Sequence, residues 1–432
     1  MAPQVEKPAA LCRLAHWMDL AIPGRPDERA HGADLRISGD MGAMGSNVAI
    51  IGGGIAGTAL AIGLAQKGVK AVLIEKDADW TPTSSGIFIY ANGLRALDRL
   101  GVLDGIKTAG WVSPDGGNLY LTPKGETITR TIYPSIGGAH VPPIVGIRRV
   151  DLHRVLTARL AEFDVDVRLG VTATGFRDEP GRPVEVSLSD GAQVSCDVLI
   201  GADGVRSQMR TALFGEIEPV YTGFGVWRST HAKPKEIDVK IMYMGLGIRL
   251  GIMPISDDEL YMFGTTREPD KPFYPRERWH SLMREKFADI AGGPAVALLE
   301  EITSPERVVY TAVEEVHLQL PWHRGRVCVI GDAAHSSTPF MGQGGAMAIE
   351  DAVVLADMLA DPLAEAGDVT SKLEAFGQRR FERCKFVQDV SRGVGEAGAI
   401  EDHQATIRRD ERLRTLGQGD VDSFYARMAE AI

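Results

Sequence analysis

Apolar residues gather in short unbroken runs at several well-separated places in the chain. Asn47–Ile51, Lys70–Glu75, Val194–Ile200 and Val327–Ile330 each close on, or just before, glycine or an acid. Runs of this length without alternation read as strands buried on both faces, the texture of a parallel sheet. Ala56–Lys67, between the first two runs, is predicted as an apolar-faced helix, which makes one βαβ unit. Ala91–Leu100 is predicted as a helix closed by Gly101, and Val150–Glu162 as an amphipathic one. Val165–Leu169 and Val184–Leu188 read as further strands. The middle of the chain, about 218–316, has another texture. Strand-like runs at Val239–Met244, Gly247–Met253 and Glu259–Gly264 alternate with turns, and one helix interrupts them near Arg276–Ala288. Residues 111–147, rich in Gly, Pro and β-formers, suggest a small sheet region. Gly345–Leu359 and Lys372–Arg392 are predicted helices.

The pattern predicts an α/β protein whose first domain is discontinuous. Its strands near 50, 72, 198 and 328 must meet in one sheet, with the middle segment inserted as a second, mostly antiparallel sheet domain. With 432 residues and 44% hydrophobic content, the chain exceeds one typical domain. A net charge of −11 argues against a nucleic-acid surface or an anionic membrane as partner. Cys12, Cys196, Cys328 and Cys384 have no CxxC spacing, so neither a zinc site nor a redox disulfide is indicated. A reducing, cytoplasmic setting fits. No apolar stretch approaches the roughly 20 residues that span a bilayer. Residues 1–46 lack sustained periodicity and a secretory apolar core, and read as a poorly ordered extension. Met41 and Met44, just before the first strand, are compatible with another start site.

Three pieces carry chemistry. In VAIIGGGIAG, Gly52, Gly54 and Gly57 spell GxGxxG directly after a strand and opening a helix at Ile55 and Ala56. The first glycine permits the tight turn, the second lets backbone approach a pyrophosphate, and the third lets helix and strand pack. Glu75 ends the second strand, where an acid can accept ribose hydroxyls. This motif alone does not choose between NAD and FAD. In GADGVRS, Asp203 ends a buried strand beside Gly204, with a cofactor hydroxyl, a backbone amide or Arg206 as its candidate partner. In GDAAHSSTPFMGQGG, Asp332 can accept from a ribityl hydroxyl. Pro339 and Phe340 stiffen the loop, and Gly342, Gly344 and Gly345 leave backbone bare before a helix. That helix start would face negative charge on a reduced flavin. His335 reads as a loop-anchoring residue, and Glu350 and Asp351 as acids that suit a helix N-terminus. A second GxGxxG, at Gly393, Gly395 and Gly398, follows a helical stretch and reads as a helix terminus and loop.

Together these residues resemble the group A flavin-dependent monooxygenases, the single-component aromatic hydroxylases related to para-hydroxybenzoate and salicylate hydroxylases. The similarity runs from Asn47 to about Gly395. It includes GIFIYANGLRALDRLGVLD, IRRVDLHRVL, WHRGRVCVIGDAAH and KLEAFGQRRFERCKFVQDVSR. It implies a Rossmann-like FAD-binding domain of the para-hydroxybenzoate hydroxylase type, with an inserted substrate domain and C-terminal helices. FAD-binding parts are then 47–110, 148–217 and 317–395, substrate-domain parts 111–147 and 218–316, and 396–432 a helical tail. Lys76, Gly86, Ile87, Arg149, Asp203, Gly204, Pro339 and Ala346 join the glycines, Glu75 and Asp332 as implied cofactor contacts. Ala346 stands where many relatives carry Asn, and Trp80-Thr81-Pro82 replaces the family's Arg-Pro.

The resemblance further implies NADPH or NADH as reductant, O2 as co-substrate, a flavin C4a-hydroperoxide and a small phenolic or aromatic-acid substrate. No metal, nucleic acid or membrane span is expected, and the enzyme is a monomer or homodimer. Substrate contacts are expected from the middle sheet and the Pro339–Gly342 loop: Tyr243, Arg249, Met262, Pro339 and Phe340. Alternation along Gly225–His231 nominates Arg228 for an anionic substrate and His231 for a phenolic proton. The alternatives are tailoring or inactivation of a natural product or antibiotic by the same chemistry, a halogenase, or a non-catalytic FAD-binding protein. No tryptophan-rich halogenase segment is present.

Overall fold

The computed structural model describes residues 46–82, 85–365 and 368–432. The extension expected over 1–46 lies outside these residues except for Ser46, which opens the first strand. The first half runs β1 (Ser46–Ile51), α1 (Ile55–Ala65), β2 (Ala71–Glu75), β3 (Gly86–Tyr90), α2 (Ala91–Arg99), α3 (Leu103–Ala109), β4 (Trp111–Val112), β5 (Gly117–Leu121), β6 (Thr127–Ile132), β7 (Ile144–Arg148), α4 (Arg149–Leu160), β8 (Asp166–Leu169), β9 (Ala173–Arg177), β10 (Val184–Leu188), β11 (Gln193–Gly201) and α5 (Gln208–Phe214). The second half runs β12 (Val220–Ala232), β13 (Lys240–Met244), β14 (Ile248–Pro254), β15 (Glu259–Arg267), α6 (Trp279–Lys286), α7 (Ala295–Glu300), β16 (Val308–Glu315), β17 (His323–Arg324), β18 (Val327–Val329), α8 (Asp332–His335), α9 (Gly344–Glu365), α10 (Val369–Gly398) and α11 (His403–Ala429).

The four apolar runs meet in one sheet, ordered β17-β18-β11-β1-β2-β8, with β1 parallel to both β2 and β11, and β11 parallel to β18. Their residues are almost wholly buried, which is why the sequence shows runs instead of alternation. A seven-stranded sheet, ordered β16-β12-β15-β14-β13-β5-β6, forms the second layer system, and β3-β7-β4 forms a small third sheet. The segment 111–147 therefore makes no sheet of its own. β4 and β7 join β3, while β5 pairs in parallel with the free edge of β13. A two-stranded ribbon cannot bury a face unaided, and that edge supplies the missing partner.

The seven-stranded sheet is covered on one face by α6 and α7. Trp227, Tyr243, Leu250, Ile252, Leu260 and Met262 pack there against Leu282, Met283, Phe287 and Leu298. Its other face looks toward α10, α11 and the loop before α9. The helix α10 runs past Arg392 to Gly398, so Gly393, Gly395 and Gly398 lie in its last turns and not in a loop. Their bareness serves packing. A Cβ on Gly395 would meet the Phe340 ring at 2.2 Å, and one on Gly398 would lie 3.2 Å from Arg249. Among the described residues, no helix is long and apolar enough to cross a membrane.

The helix α11 is tied down at both ends. Asp402 caps its start by accepting from Ala405 N. Arg409 donates to the carbonyls of Gly245 and Met244 at 2.9 and 3.1 Å. At the far end Arg95 and Arg383 donate to the carbonyls of Arg427, Met428, Ala429 and Glu430. These guanidinium groups satisfy carbonyls that a helix end leaves without intrahelical partners.

Candidate active site

Two helix starts face one cleft. At the first, Gly52 has φ +107°, and a Cβ there would lie 2.5 Å from Ala202 O; a Cβ on Gly57 would lie 1.9 Å from Gly52 O. Only glycine satisfies both approaches. Gly54 differs, because nothing lies within 4 Å of a Cβ built on it. It is the N-cap of α1 and offers no side-chain cap. Unpaired N–H groups and the positive end of the helix dipole thus open onto empty space, which suits an anion. Ile55 and Ala56 follow in the first turn, and Ala56 packs under Gly331. Glu75, at the tip of β2, accepts from Gly53 N at 2.6 Å and from Asp77 N at 2.8 Å. Lys76 is exposed beside it. Trp80 fills the place of the usual Arg-Pro. Its indole donates to Gly53 O at 2.8 Å and meets the His153 ring edge-on at 5.0 Å.

The second helix start belongs to α9. Pro339–Met341 forms a tight turn, Gly342 leaves it at φ +64°, and α9 begins at Gly344. A Cβ on Gly345 would be 3.2 Å from Ile87 and 3.9 Å from Ile55, so the starts of α1 and α9 are neighbours. Ala346 packs on Gly93, and Gly86 lies against the Tyr261 ring. Asp332 opens α8, and its Oδ1 lies 3.9 Å from where a Cβ on Gly344 would stand, beside the start of α9. Desolvation there raises its carboxyl above the ordinary range, while the charges of His335 and Arg149 pull it back. Arg149 is exposed, and its backbone N–H is held by Ser85 O.

Behind this loop sits a buried ionic cluster. Asp351 accepts from Gly331 N at 2.9 Å, lies 2.6 Å from His335 Nε2 and accepts from Arg380 at 2.7 Å. Glu350 is gripped by Arg380 and Arg383. Burial opposes a charge on His335, but Cys384 and Asp351 outweigh it and raise the imidazole well above its usual value. His335 therefore fastens the Asp332 turn to α9.

Asp203 takes the backbone-amide alternative. Its oxygens accept from Ser207 Oγ at 2.5 Å and Met209 N at 3.0 Å, which stabilises the start of α5. Arg206 pairs instead with Glu314. Gly204 has φ +80° and open space about it.

A cavity of about 620 Å³ adjoins the Pro339–Gly342 loop. Its inner wall carries Phe88, Tyr90, Tyr120, Tyr133, Lys240 and Arg249. The Lys240 ammonium donates to Tyr90 and Tyr133 at 3.0 and 3.1 Å. Arg249 donates to Phe340 O at 3.3 Å, and its guanidinium lies 5.5 Å from the Phe340 ring centroid. Among the described residues, no carboxylate pairs with either cation. The acid in the cavity lining, Asp420, is engaged by Arg412. Burial, and then the charge of Arg249, pushes Lys240 down to about 7. Burial raises Tyr90, Tyr120, Tyr133 and Tyr425, so these phenols keep their protons.

Arg249, Pro339 and Phe340 thus line the cavity, but four other nominated residues stand elsewhere. Tyr243 and Met262 face α6 and α7 in the helix-covered core. His231 also faces that side, held by Ser229 and Glu301. Arg228 shares a register position with Phe263 but ends on Thr311 of the edge strand β16, away from the cavity. The cause is strand alternation: Lys240, Met242 and Met244 point to the cavity, so Ile241 and Tyr243 cannot. Both faces of β13 are buried, so hydropathy gives no phase. Lys240, Tyr90, Tyr120, Tyr133 and the α11 residues escaped the sequence reading. A lysine opening a fully buried strand was the available signal.

The family described as FAD binding domain matches residues 45–391. An aurachin C monooxygenase/isomerase of Stigmatella aurantiaca is 32% identical over 386 residues, covering 88% of this chain and 96% of the relative. Salicylate hydroxylase of Pseudomonas putida is 30% identical over 418 residues, covering 88% and 92%. The structure of Klebsiella pneumoniae HpxO complexed with FAD and uric acid superposes with a TM-score of 0.77 at 25% identity, covering 88% of this chain and 96% of that one.

Proposed function

Since this chain belongs to the FAD-binding-domain family and is an FAD-dependent aromatic monooxygenase, we propose that it hydroxylates an acidic aromatic held between Lys240 and Arg249, at the expense of NAD(P)H and O2. The observation that carries this reading is the pair of buried cations without a carboxylate partner in an aromatic-walled cavity. Buried charge is costly unless compensated, and a bound anion would compensate it. The salicylate and 6-hydroxynicotinate enzymes among its relatives carry names of such acids.

The cleft fits FAD on its own geometry. Gly54 leaves the space a diphosphate needs, and the neighbouring start of α9 carries no side chain at Gly342, Gly344 and Gly345. In this reading Gly54, Ile55 and Ala56 would hold the diphosphate, Glu75 the adenosine ribose, and Asp332 the ribityl chain. The loop Pro339–Gly345 and Ile87 would flank the ring. Bound FAD supplies electron transfer from NAD(P)H and activation of oxygen. The chain's residues position the ring to be attacked, keep water out, and present the α9 dipole where negative charge develops. Arg249 and the protonated phenols orient the acidic group, and Lys240 can hold or release a proton at Nζ near neutral pH. Buried free thiols at Cys196, Cys328 and Cys384 suit a cytoplasmic setting, as a monomer or homodimer.

A screen of aromatic acids and phenols for acceleration of NAD(P)H oxidation, with product mass gaining one oxygen atom, tests the reading. Failure of every compound to yield oxygenated product would count against it. Replacing Asp332 by alanine should weaken FAD affinity about tenfold to a hundredfold, the loss of one charged hydrogen bond, measured by flavin fluorescence titration. An unchanged affinity would remove Asp332 from the site.

The position of Lys240 near pH 7 gives a signed pH effect. Affinity for a benzoate, ionised throughout, should rise as pH falls from 9 toward 7, by up to about tenfold per unit, and level off below. Lys240→Met should flatten that profile in a calorimetric titration. The ligand-free fold shows the opposite linkage. The folded value lies below the unfolded one, so this lysine costs stability increasingly as pH falls from its ordinary range to about 7.

A further inference from the structure

Resting on the reading above, that the cavity holds the ring to be hydroxylated, we propose that the substrate has two parts: an acidic hydroxyaromatic head at Lys240 and Arg249, and an apolar substituent running outward between α10 and α11. Three observations carry this.

The first is size. A cavity of about 620 Å³ falls in the range of about 300–1,000 Å³ that holds ligands larger than a single substituted ring.

The second is the separation of polarity. Lys240, Arg249 and the phenols of Tyr90, Tyr120 and Tyr133 come from the strands and the segments that adjoin them, while α11 adds one further buried phenol, Tyr425. The helix side is different: it presents Phe386, Val390 and Val394 from α10, with Leu413, Val421 and Phe424 from α11. Charged groups on that side are already engaged. Arg412 pairs with Asp420, Arg409 holds two backbone carbonyls, and Arg427 lies 4.1 Å from the Phe386 ring centroid. A substituent there would meet mainly apolar side chains, with Ser423 and Tyr425 as the polar exceptions.

The third is room. Gly393 lines the cavity, and a Cβ on it would meet nothing within 4 Å, while Ala397 is the next small residue along α10. The two helices touch through the stacked rings of Phe386 and Phe424, 5.6 Å apart, which both line the cavity.

The test uses the full-length holoenzyme and hydroxybenzoates bearing linear alkyl chains from none to heptyl at each free ring position. Binding is read from perturbation of the flavin absorption band, and turnover from product mass. For at least one ring position, Kd should fall with each methylene by up to about fourfold, the factor for full burial of a CH2. Leu413→Asp should reduce that slope, whereas Arg249→Met should weaken all chain lengths by a similar factor. A Kd that is constant or rises with chain length at every position, or no binding by any member, overturns the proposal. The two readings separate cleanly. Chain-dependent binding without oxygenated product would leave the two-part site and remove the hydroxylation reading. Hydroxylation of the parent acid with no gain from the chain would do the reverse.

Discussion

A Gly54→Asp variant should purify colourless. The substitution is sterically free, because a Cβ at this position meets nothing within 4 Å and Gly54 has an extended backbone that any residue adopts. The fold should therefore survive, with thermal midpoint and circular dichroism close to wild type. The added carboxylate, however, would stand at the uncapped start of α1, in the space proposed for the diphosphate. It would take up the N–H groups itself and repel a dianionic ligand at close range. The expected result is loss of essentially all bound FAD, read from the ratio of flavin to protein absorbance. Gly54→Ala, which adds volume without charge, should retain a substantial share. A folded aspartate variant that keeps stoichiometric flavin would place the diphosphate elsewhere.

The largest stability effect is expected at Arg380→Met. Arg380 is fully buried, and its guanidinium serves Glu350 at 2.9 Å and Asp351 at 2.7 Å, themselves without exposure. Removing it leaves two carboxylates under-compensated in the interior. Breaking such a cluster typically costs about 3–5 kcal/mol. That should lower the thermal midpoint by on the order of 10 °C. Arg383 still holds Glu350, so the more exposed consequence falls on Asp351. Asp351 also grips Gly331 N and His335, so flavin affinity should drop together with stability. Adding Asp351→Asn to the variant should restore part of the loss, because the under-compensated charge is then removed. A midpoint within 2 °C of wild type, measured by calorimetry and judged against the few-degree shift that ~1 kcal/mol produces, would show that the cluster is not held by Arg380.

Much of the nucleotide-binding half is legible along the chain because its signals are local. A buried parallel strand, a glycine turn and a helix start follow one another within ten residues at Val48–Gly57, and backbone geometry alone demands the glycines. The cavity is a different matter. It is assembled from β3, β5, β13, β14, the Pro339–Gly342 loop and two C-terminal helices, so no short window contains it. Tyr243 faces the helix-covered core while its neighbours Met242 and Met244 line the cavity, and a strand buried on both faces carries no hydropathic phase to tell them apart. Glu350 and Asp351 suit a helix start in sequence, yet their partners, Arg380 and Arg383, come from the middle of α10. Likewise Gly395 and Gly398 spell a nucleotide fingerprint but serve Phe340 and Arg249. Context, not composition, separates the true glycine turn from its imitation.

The arginines that fasten α11 take hold of main-chain oxygens at Gly245, Met244, Arg427, Met428, Ala429 and Glu430. Such moorings do not read the identity of the residues they grasp. Residues on the inner flank of this helix can consequently be exchanged one by one while its berth is kept. Descendants of such a protein can thereby acquire new chemical tastes without disturbing the machinery that handles oxygen.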